Sequence, residues 1–412
     1  MPNLSTTPRI ARTDLRRAPG SPPREMIGAT LLALLVNAGQ LKATPLLSWA
    51  PVDLTILLGA LVGAWAILAL LTQPSRLAPA WPLFLLLVVL SLSSIEPTYG
   101  DYASTKIVTL FSVTAVLMLS PFLLLQHREQ VDAFFSTTLG IAFFAAIFTI
   151  TNPATVADYS TRVTFDGTNT IGAARILGAG IVVCVVRAIW SDSTARTRIA
   201  YVALVPVLLW ALLSTGSRGP FVAAALAVLV VCIVAVVTRR SNVWMLVALV
   251  AITAAGSVAA DRASVDGSSR ILGFFEGARD GSTRARNELW IGTTELIPSQ
   301  PFGVGMGGFS ETGVSWGAYA YPHNIVLEVF AEAGWLTGLL LCAIMLTALG
   351  RCLAQAKTSG QFLTLGLLVF STINAMVSGD INSNRLLWVI MSIALMQPRL
   401  SAAIPSAARD IK

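Results

Sequence analysis

Arg218 lies in a tight turn between two apolar segments and is the arginine best suited to bind a phosphate. Gly216 and Gly219 keep the turn open, and Pro220 favours the start of a helix, whose first N–H groups have no intrahelical partner. A fixed guanidinium beside a helix N-terminus suits a phosphate oxygen. The alternative is that Arg218 only extends its charge to lipid headgroups.

A second pair of arginines, Arg284 and Arg286, precedes residues 287–297, and both are candidates for binding the substrate. Within this stretch Leu289, Trp290 and other apolar positions recur at helical spacing, which predicts an amphipathic helix on a membrane surface or on a helical bundle. The alternative is a solvated loop that carries ordinary charges.

Arg162 and Arg175 flank the start of an apolar segment at 170–189, and Arg175 lies about one turn inside it. An arginine at that depth in a membrane span needs a partner or a water-filled cavity. Both residues are therefore further candidates for binding an anionic substrate.

His323 stands in Tyr321-Pro322-His323-Asn324, directly before another apolar segment. Imidazole binds a phosphate or takes a proton from a hydroxyl near neutral pH, so His323 is a candidate catalytic residue and Asn324 a candidate substrate ligand. The other histidine, His127, lies in a short predicted cytoplasmic loop, where a surface role suffices. Two histidines on opposite faces, with few carboxylates nearby, disfavour a metal site.

Glu328 and Glu332 follow His323 at positions i and i+4 of the predicted helix, so they share one face. At 100° per residue they point away from His323. We expect them to contact another helix or the surface rather than the reacting groups.

The glycine-rich string at 303–308 has the G-x-G-x-x-G form, but no strand precedes it, so it is a poor dinucleotide site. A tight turn whose backbone lies close to a ligand or another helix is the better interpretation. No Walker P-loop is present either, which argues against ATP hydrolysis.

The elements that position these residues are membrane helices. Of the 412 residues, 55% are hydrophobic and 12% are charged, whereas soluble proteins carry about 25% charged residues. The mean hydropathy is +0.73. Apolar runs are long enough to cross about 30 Å of hydrocarbon as helices, and few runs alternate with period two, as an outer-membrane barrel requires. The net charge is +7. Basic residues that flank membrane helices explain this charge better than binding to nucleic acid would.

Twelve apolar runs predict an all-α polytopic membrane protein with both termini in the cytoplasm. The predicted spans are 26–41, 52–72, 79–95, 104–125, 132–151, 170–189, 199–215, 219–238, 242–260, 326–349, 361–378 and 384–397. With this topology every inside segment carries at least one basic residue, and 17 of the 28 lie inside. These are Arg9, Arg12, Arg16, Arg17, Arg24, Arg76, Arg128, Arg187, Arg196, Arg198, Arg239, Arg240, Arg351, Lys357, Arg399, Arg409 and Lys412.

The domain organisation follows from these spans. Residues 1–24 predict a disordered cytoplasmic tail, residues 25–400 one membrane domain, and residues 401–412 a second cytoplasmic tail. Within the membrane domain, residues 261–322 form a single large outer loop with short amphipathic helices. The unusual arginines and His323 then collect on the face opposite the cytoplasm.

The chain resembles the superfamily of O-antigen ligases and O-antigen and exopolysaccharide polymerases. His323-Asn324, nine residues, Gly334, two residues and Thr337 match the H-[N/S/Q]-x9-G-x-x-[G/T/Y] form of the ligase signature. The segments 215–219, 301–305 with Phe309, and more loosely 168–175, resemble other family segments. Arg284 and Arg286 compete for one family position, and its spacing to Trp290 favours Arg286.

The resemblance implies a GT-C-like membrane enzyme that moves a glycan from an undecaprenyl-diphosphate carrier to an acceptor hydroxyl. The site would face the periplasm or the outside of the bacterial inner membrane, with Arg218 and Arg286 holding the diphosphate. His323 would bind the diphosphate or deprotonate the acceptor. Neither a cofactor nor a metal nor ATP is expected; the partners are the donor, a glycan or lipid-anchored acceptor and the bilayer. The resemblance does not distinguish a polymerase from a ligase. The alternative from a different class of protein is a transporter of small, bicarbonate-like anions.

Overall fold

The computed structural model describes residues 23–402, except for 43, 45–46, 48–50, 96–99, 152, 157–158, 166–168, 191–193, 240–280 and 316–318. The predicted span at 242–260, the first part of the large loop and nearly all of both predicted tails lie outside the described residues. Pro23–Arg24 and residues 401–402 are the exceptions, and they belong to helices.

The first half of the chain consists of helices and one short hairpin. The helices are α1 (Pro23–Lys42), α2 (Leu54–Thr72), α3 (Trp81–Leu92, preceded by a 3-10 turn at Pro74–Ala80), α4 (Asp101–Thr109), α5 (Ala115–Leu119), α6 (Pro121–Leu124), α7 (Arg128–Thr151) and α8 (Thr170–Trp190). A π-turn at Leu110–Thr114 joins α4 to α5, so that Asp101–Leu124 forms one span. Strands β1 (Pro153–Val156) and β2 (Tyr159–Phe165) pair antiparallel between α7 and α8, with Pro153 opposite Phe165.

The second half contains α9 (Ala195–Ser214), α10 (Arg218–Val237), α11 (Gly281–Leu296), α12 (Ile325–Ser359), α13 (Leu363–Val377) and α14 (Arg385–Ala402). Short 3-10 turns lie at Ile297–Ser299 and Gly308–Glu311. The amphipathic helix predicted at 287–297 is therefore real, but it begins earlier, at Gly281.

The all-α membrane fold is confirmed for the described part of the chain. There, eight helices are long and apolar enough to cross a membrane, and three shorter apolar helices lie at Met26–Lys42, Leu363–Val377 and Arg385–Met396. These correspond to eleven of the twelve predicted spans, and the full number is not established. The predicted span 326–349 is longer in the structure, because α12 continues to Ser359.

Helix α8 forms the centre of the bundle. In its most apolar stretch 72% of the residues are buried, whereas the corresponding share for α2 is 17%. On α2, Ile56 and Leu71 are exposed. Small residues allow close packing around α8: a Cβ at Gly180 would lie 2.4 Å from the Ala142 Cβ, and one at Gly178 would lie 2.7 Å from the Phe370 ring. Such contacts between small residues are typical of membrane helix interfaces. Arg175 lies near the N-terminal end of this tightly packed helix.

Candidate active site

His323 projects from a constrained turn at the start of α12. Its backbone φ is +56°, which is uncommon for a residue with a side chain. The next residue, Asn324, caps the helix, since its Oδ1 accepts hydrogen bonds from the N–H groups of Val326 (3.0 Å) and Leu327 (3.1 Å). Asn324, predicted as a substrate ligand, is thus placed to fix the turn from which His323 projects.

The His323 imidazole packs against two tyrosine rings. The ring centroids of Tyr321 and Tyr319 lie 4.5 Å and 5.6 Å away, both edge-on. Within the described part of the chain, Nδ1 of His323 is buried and has no hydrogen-bond partner. A buried imidazole nitrogen without a partner is poised to bind a substrate hydroxyl or phosphate.

The electrostatic surroundings of His323 keep it neutral. Burial, and after it the charges of Arg286 and Arg175, together lower its pKa to about 4, while Asp380 opposes them. Two of the predicted arginines therefore lie within electrostatic range of the histidine. At neutral pH the imidazole is a proton acceptor.

Helix α11 joins Arg218 to the His323 turn. An Nη2–H of Arg218 donates to Thr283 Oγ1 (3.3 Å), and the Trp290 indole N–H donates to the carbonyl of Pro322 (3.0 Å). Positions 283, 286 and 290 follow helical spacing, so Arg286 shares the face that makes both contacts. One helical stripe thus connects two parts of the site that are distant in sequence.

Arg284 occupies a different face of α11. Its Nε lies 2.9 Å from Glu288 Oε1, and its side chain is 81% exposed. The structure therefore separates the two competing arginines, with Arg286 on the stripe and Arg284 away from it.

Arg162 belongs to β2, which contacts α7 and α8. Its side chain lies outside the described part, so its relation to the site stays a prediction.

The glycine-rich loop packs against a break in α12. Gly334 has φ +80° inside α12, and a Cβ there would lie 2.6 Å from the Pro301 carbonyl oxygen. A Cβ at Gly303 would lie 2.3 Å from the carbonyl oxygen of Glu332. The prediction that this loop's backbone approaches another helix is thus confirmed, and Gly334 of the signature allows that approach.

A buried ion cluster beneath the loop was not predicted as a unit. Nζ of Lys106, in α4, lies 2.5 Å from Glu328 Oε1 and 2.6 Å from Glu332 Oε2, and all three side chains are at most 1% exposed. Glu332 Oε2 also accepts the Gly307 N–H (2.9 Å), and Glu328 Oε1 accepts the Ile381 N–H (3.2 Å). The two glutamates therefore contact another helix, as expected, and position the loops around His323.

Arg175 lines a cavity of about 350 Å³ that His323 also lines. Its guanidinium donates to the carbonyls of Ser378 (2.6 Å), Asn374 (3.4 Å) and Ser383 (3.4 Å) near the C-terminal end of α13. Such carbonyls carry the negative end of the helix dipole and suit a cation. Arg385 lines the same cavity, and sequence reasoning gave it no role although its place at an outer helix start was visible.

The comparison with known families agrees with this geometry. A family model described as O-antigen ligase matches residues 202–342. This segment is similar to the O-antigen ligase-like superfamily. The O-antigen ligase match covers about a third of the chain and includes Arg218, α11, the glycine-rich loop, His323 and Gly334. It supports a membrane glycosyl-transfer or ligase function. No curated protein sequence matches the chain.

Proposed function

We propose that this chain transfers a glycan from an undecaprenyl-diphosphate carrier to an acceptor hydroxyl on the outer face of the bacterial inner membrane. The observation that carries the proposal is α11, which contacts Arg218 through Thr283 near its start and the His323 turn through Trp290 near its middle. All of these residues lie in the segment that matches O-antigen ligase. One helix thus contacts both Arg218, at a helix start suited to anions, and the turn that carries His323, the proposed proton acceptor.

The diphosphate would bind between Arg218 and Arg286. Arg218 is the first residue of α10, where unpaired N–H groups attract anions. The preceding Ser217 is buried, and its Oγ has no partner among the described residues, so it is available to donate to a phosphate oxygen. Guanidinium groups held in a water-poor site stabilise the charge of a diphosphate leaving group.

The reaction forms a bond between the acceptor oxygen and the anomeric carbon of the donor glycan and breaks the bond from that carbon to the diphosphate. The proton of the acceptor hydroxyl goes to His323, whose neutral imidazole has an unpaired nitrogen. Undecaprenyl diphosphate leaves with the bonding electrons. The activated donor supplies the free energy, so the proposed reaction requires neither ATP nor a metal.

Arg175 would contribute to substrate binding through the cavity that it shares with His323. Arg162 stays a proposed contributor to substrate binding, and Arg284, paired with Glu288 on the exposed face, serves best as a control. Whether the acceptor is another carrier-linked chain, as for a polymerase, or a surface anchor, as for a ligase, depends on groups outside these contacts.

A small-anion transporter is the second candidate, and the break in α12 favours it, since broken helices bind ions in transporters. Two contacts argue against it. The backbone at Gly334 is occupied by the loop at 301–303, and the buried charges of Lys106, Glu328 and Glu332 pair with one another. Neither feature leaves an open ion path at the break.

The test is a glycolipid profile of a strain that lacks the protein and is complemented with variants. We expect accumulated donor in the empty strain and with Arg218→Ala, Arg286→Ala or His323→Ala, at normal protein levels in the membrane. The matched control Arg284→Ala, two residues from Arg286 on the same helix, should restore transfer. Single repeat units on the carrier would identify a polymerase, and long carrier-linked chains a ligase. Full transfer by all three alanine variants would refute the proposal, and a normal glycolipid profile with impaired anion uptake would favour the transporter.

A further inference from the structure

We propose that the cavity between α1, α8, α13 and α14 is a binding site for a sugar ring, and that it holds the acceptor sugar next to His323. The assignment to the acceptor rests on the proposed function, whereas the sugar site itself does not. The cavity of about 350 Å³ lies at the ends of these four helices that the charge pattern places outside. Its volume is within the range of roughly 300–1,000 Å³ that small-molecule sites occupy.

The lining of the cavity holds an unusual concentration of unsatisfied polar atoms. Ten buried side-chain polar atoms lack a hydrogen-bond partner in the described part of the chain, and four of them belong to residues that line this cavity. They are Gln40 Oε1, Arg175 Nε, His323 Nδ1 and Asn374 Oδ1. Because buried polar groups are almost always paired, such a concentration indicates a ligand that completes the hydrogen bonds.

Asn374 gives the sharpest indication of the ligand's chemistry. The side chain is only 3% exposed, and its Nδ2 donates to the Phe370 carbonyl (2.9 Å), which fixes Oδ1 as the unpaired acceptor. An unpaired acceptor in a cavity requires a donor from the ligand. A phosphate oxygen at neutral pH has little to donate, whereas each sugar hydroxyl both donates and accepts.

The arginines of the cavity agree with a polar, hydroxyl-rich ligand. Both terminal nitrogens of Arg175 already donate to carbonyls, those of Asn374 and Ser378 at the end of α13 and that of Ser383 in the following loop, whereas its Nε has no partner among the described residues. Arg385 donates to the Leu35 carbonyl (3.3 Å). Because both terminal nitrogens of Arg175 already bond to carbonyls, this guanidinium does not offer the open fork that binds a phosphate through two parallel hydrogen bonds, whereas Arg385 keeps further donors for a ligand oxygen.

Glycine at position 172 makes room for one of the recognition groups. A Cβ at Gly172 would lie 2.3–2.6 Å from the amide atoms of Gln40, so this amide lies directly over the glycine. Gln40 and Asn374 are separated by more than 300 residues, yet their unpaired oxygens line one cavity. The ring of Tyr321 adds an aromatic wall next to His323.

The cavity is distinct from the proposed diphosphate site. Arg218 and Arg286 do not line it, whereas His323 does, and Arg286 influences His323 electrostatically. His323 thus stands between an arginine-rich side on α10 and α11 and a side with hydroxyl-binding groups on α1, α8 and α13. A hydroxyl bound in the cavity would have the unpaired His323 nitrogen as its proton acceptor.

The experiment measures binding of simple probes to the full-length protein in a detergent without a sugar headgroup. Methyl glycosides of common hexoses and N-acetylhexosamines are examined by saturation-transfer NMR, and inorganic pyrophosphate by phosphorus line broadening. Each of Asn374→Leu and Gln40→Leu removes one hydrogen bond to the sugar, so we expect glycoside affinity to fall about three- to tenfold per variant. Pyrophosphate binding should not change, and neither should glycoside binding to the control Asn287→Leu, whose residue is exposed on α11.

Three outcomes would overturn the proposal: no glycoside binds, glycosides bind equally to the wild type and Asn374→Leu, or Asn374→Leu abolishes pyrophosphate binding. Because glycoside binding needs no catalysis, it is independent of the glycolipid profile. A sugar site that depends on Asn374, in a protein whose deletion leaves glycolipids normal, would refute the transferase but support the cavity.

Discussion

Replacing Lys106 by Met should destabilise the protein strongly, because Lys106 is the cation between two buried carboxylates. Its Nζ lies 2.5 Å from Glu328 and 2.6 Å from Glu332, and the lysine side chain is fully buried. Removing one partner of a buried ion pair costs about 3–5 kcal/mol, since the remaining charges have neither water nor a counterion. Here two carboxylates lose the same partner, so the upper part of that range is expected.

The chain offers a matched control for this substitution. Lys42 forms an ion pair with Asp53 at 3.0 Å, but the two side chains are 36% and 41% exposed. An exposed pair of this kind contributes about 0–1 kcal/mol. Lys42→Met therefore removes the same side chain and the same kind of contact with a much smaller expected effect.

The assay is unfolding of the purified protein in mixed micelles with increasing sodium dodecyl sulfate, followed by tryptophan fluorescence. Lys106→Met should unfold at a clearly lower mole fraction of the denaturing detergent than the wild type. Lys42→Met should unfold at nearly the same mole fraction as the wild type. Combining Lys106→Met with Glu328→Gln and Glu332→Gln should recover much of the loss, because no uncompensated charge then remains buried. Equal, small losses for the two lysine variants would show that burial of the cluster does not contribute to stability as argued.

Three further predictions concern the site. The variant His127→Gln leaves His323 as the only histidine of the chain. Nitrogen NMR of this variant should show an imidazole that stays neutral until the pH falls to about 4, because burial and nearby guanidinium groups lower its pKa. A titration midpoint near pH 6.5 would contradict this expectation. The stability that this neutral histidine contributes is present above its unfolded pKa of about 6.5 and is lost as the pH falls toward 4. Trp290→Phe should lower the transfer rate while retaining the fold, since one hydrogen bond of about 0.5–1.5 kcal/mol ties α11 to the His323 turn. Gly334→Ala should reduce the folded yield, with a cost of roughly 1–3 kcal/mol from backbone strain alone, whereas Gly350→Ala, where a Cβ meets nothing within 4 Å, should not.

The helices were predictable because each membrane span is encoded locally. The length and composition of an apolar run suffice to locate a span, and the described helices match the predicted spans closely. Arg286 could also be favoured over Arg284 from helical spacing to Trp290, since that spacing survives in α11. The missed hairpin had a local signal as well, in the alternation of aromatic and β-branched residues along Tyr159–Phe165.

The pairings across the bundle were not predictable, because they join residues far apart in the chain. Lys106 and Glu332 are separated by 226 positions, and nothing near Lys106 in sequence indicates two carboxylate partners. The same holds for the contact between Gln40 and Gly172. The break at Gly334 was only partly predictable. The glycine itself is visible in the sequence, but a glycine inside an apolar helix is ordinary. Only the loop that approaches Gly334 in the structure explains why no side chain is tolerated there.

The low pKa of His323 fits a base that becomes stronger when the donor binds. Burial lowers the pKa of this imidazole most, and the positive charges of Arg286 and Arg175 lower it too. Under the proposed function, a diphosphate at Arg218 and Arg286 brings negative charge that offsets this effect, and negative charge favours the protonated imidazole. The histidine would then accept a proton readily only when the leaving group is in place and an acceptor hydroxyl fills the cavity. Such coupling ties the activation of the acceptor hydroxyl to the presence of the donor, because the imidazole is the stronger proton acceptor only when the diphosphate lies beside it.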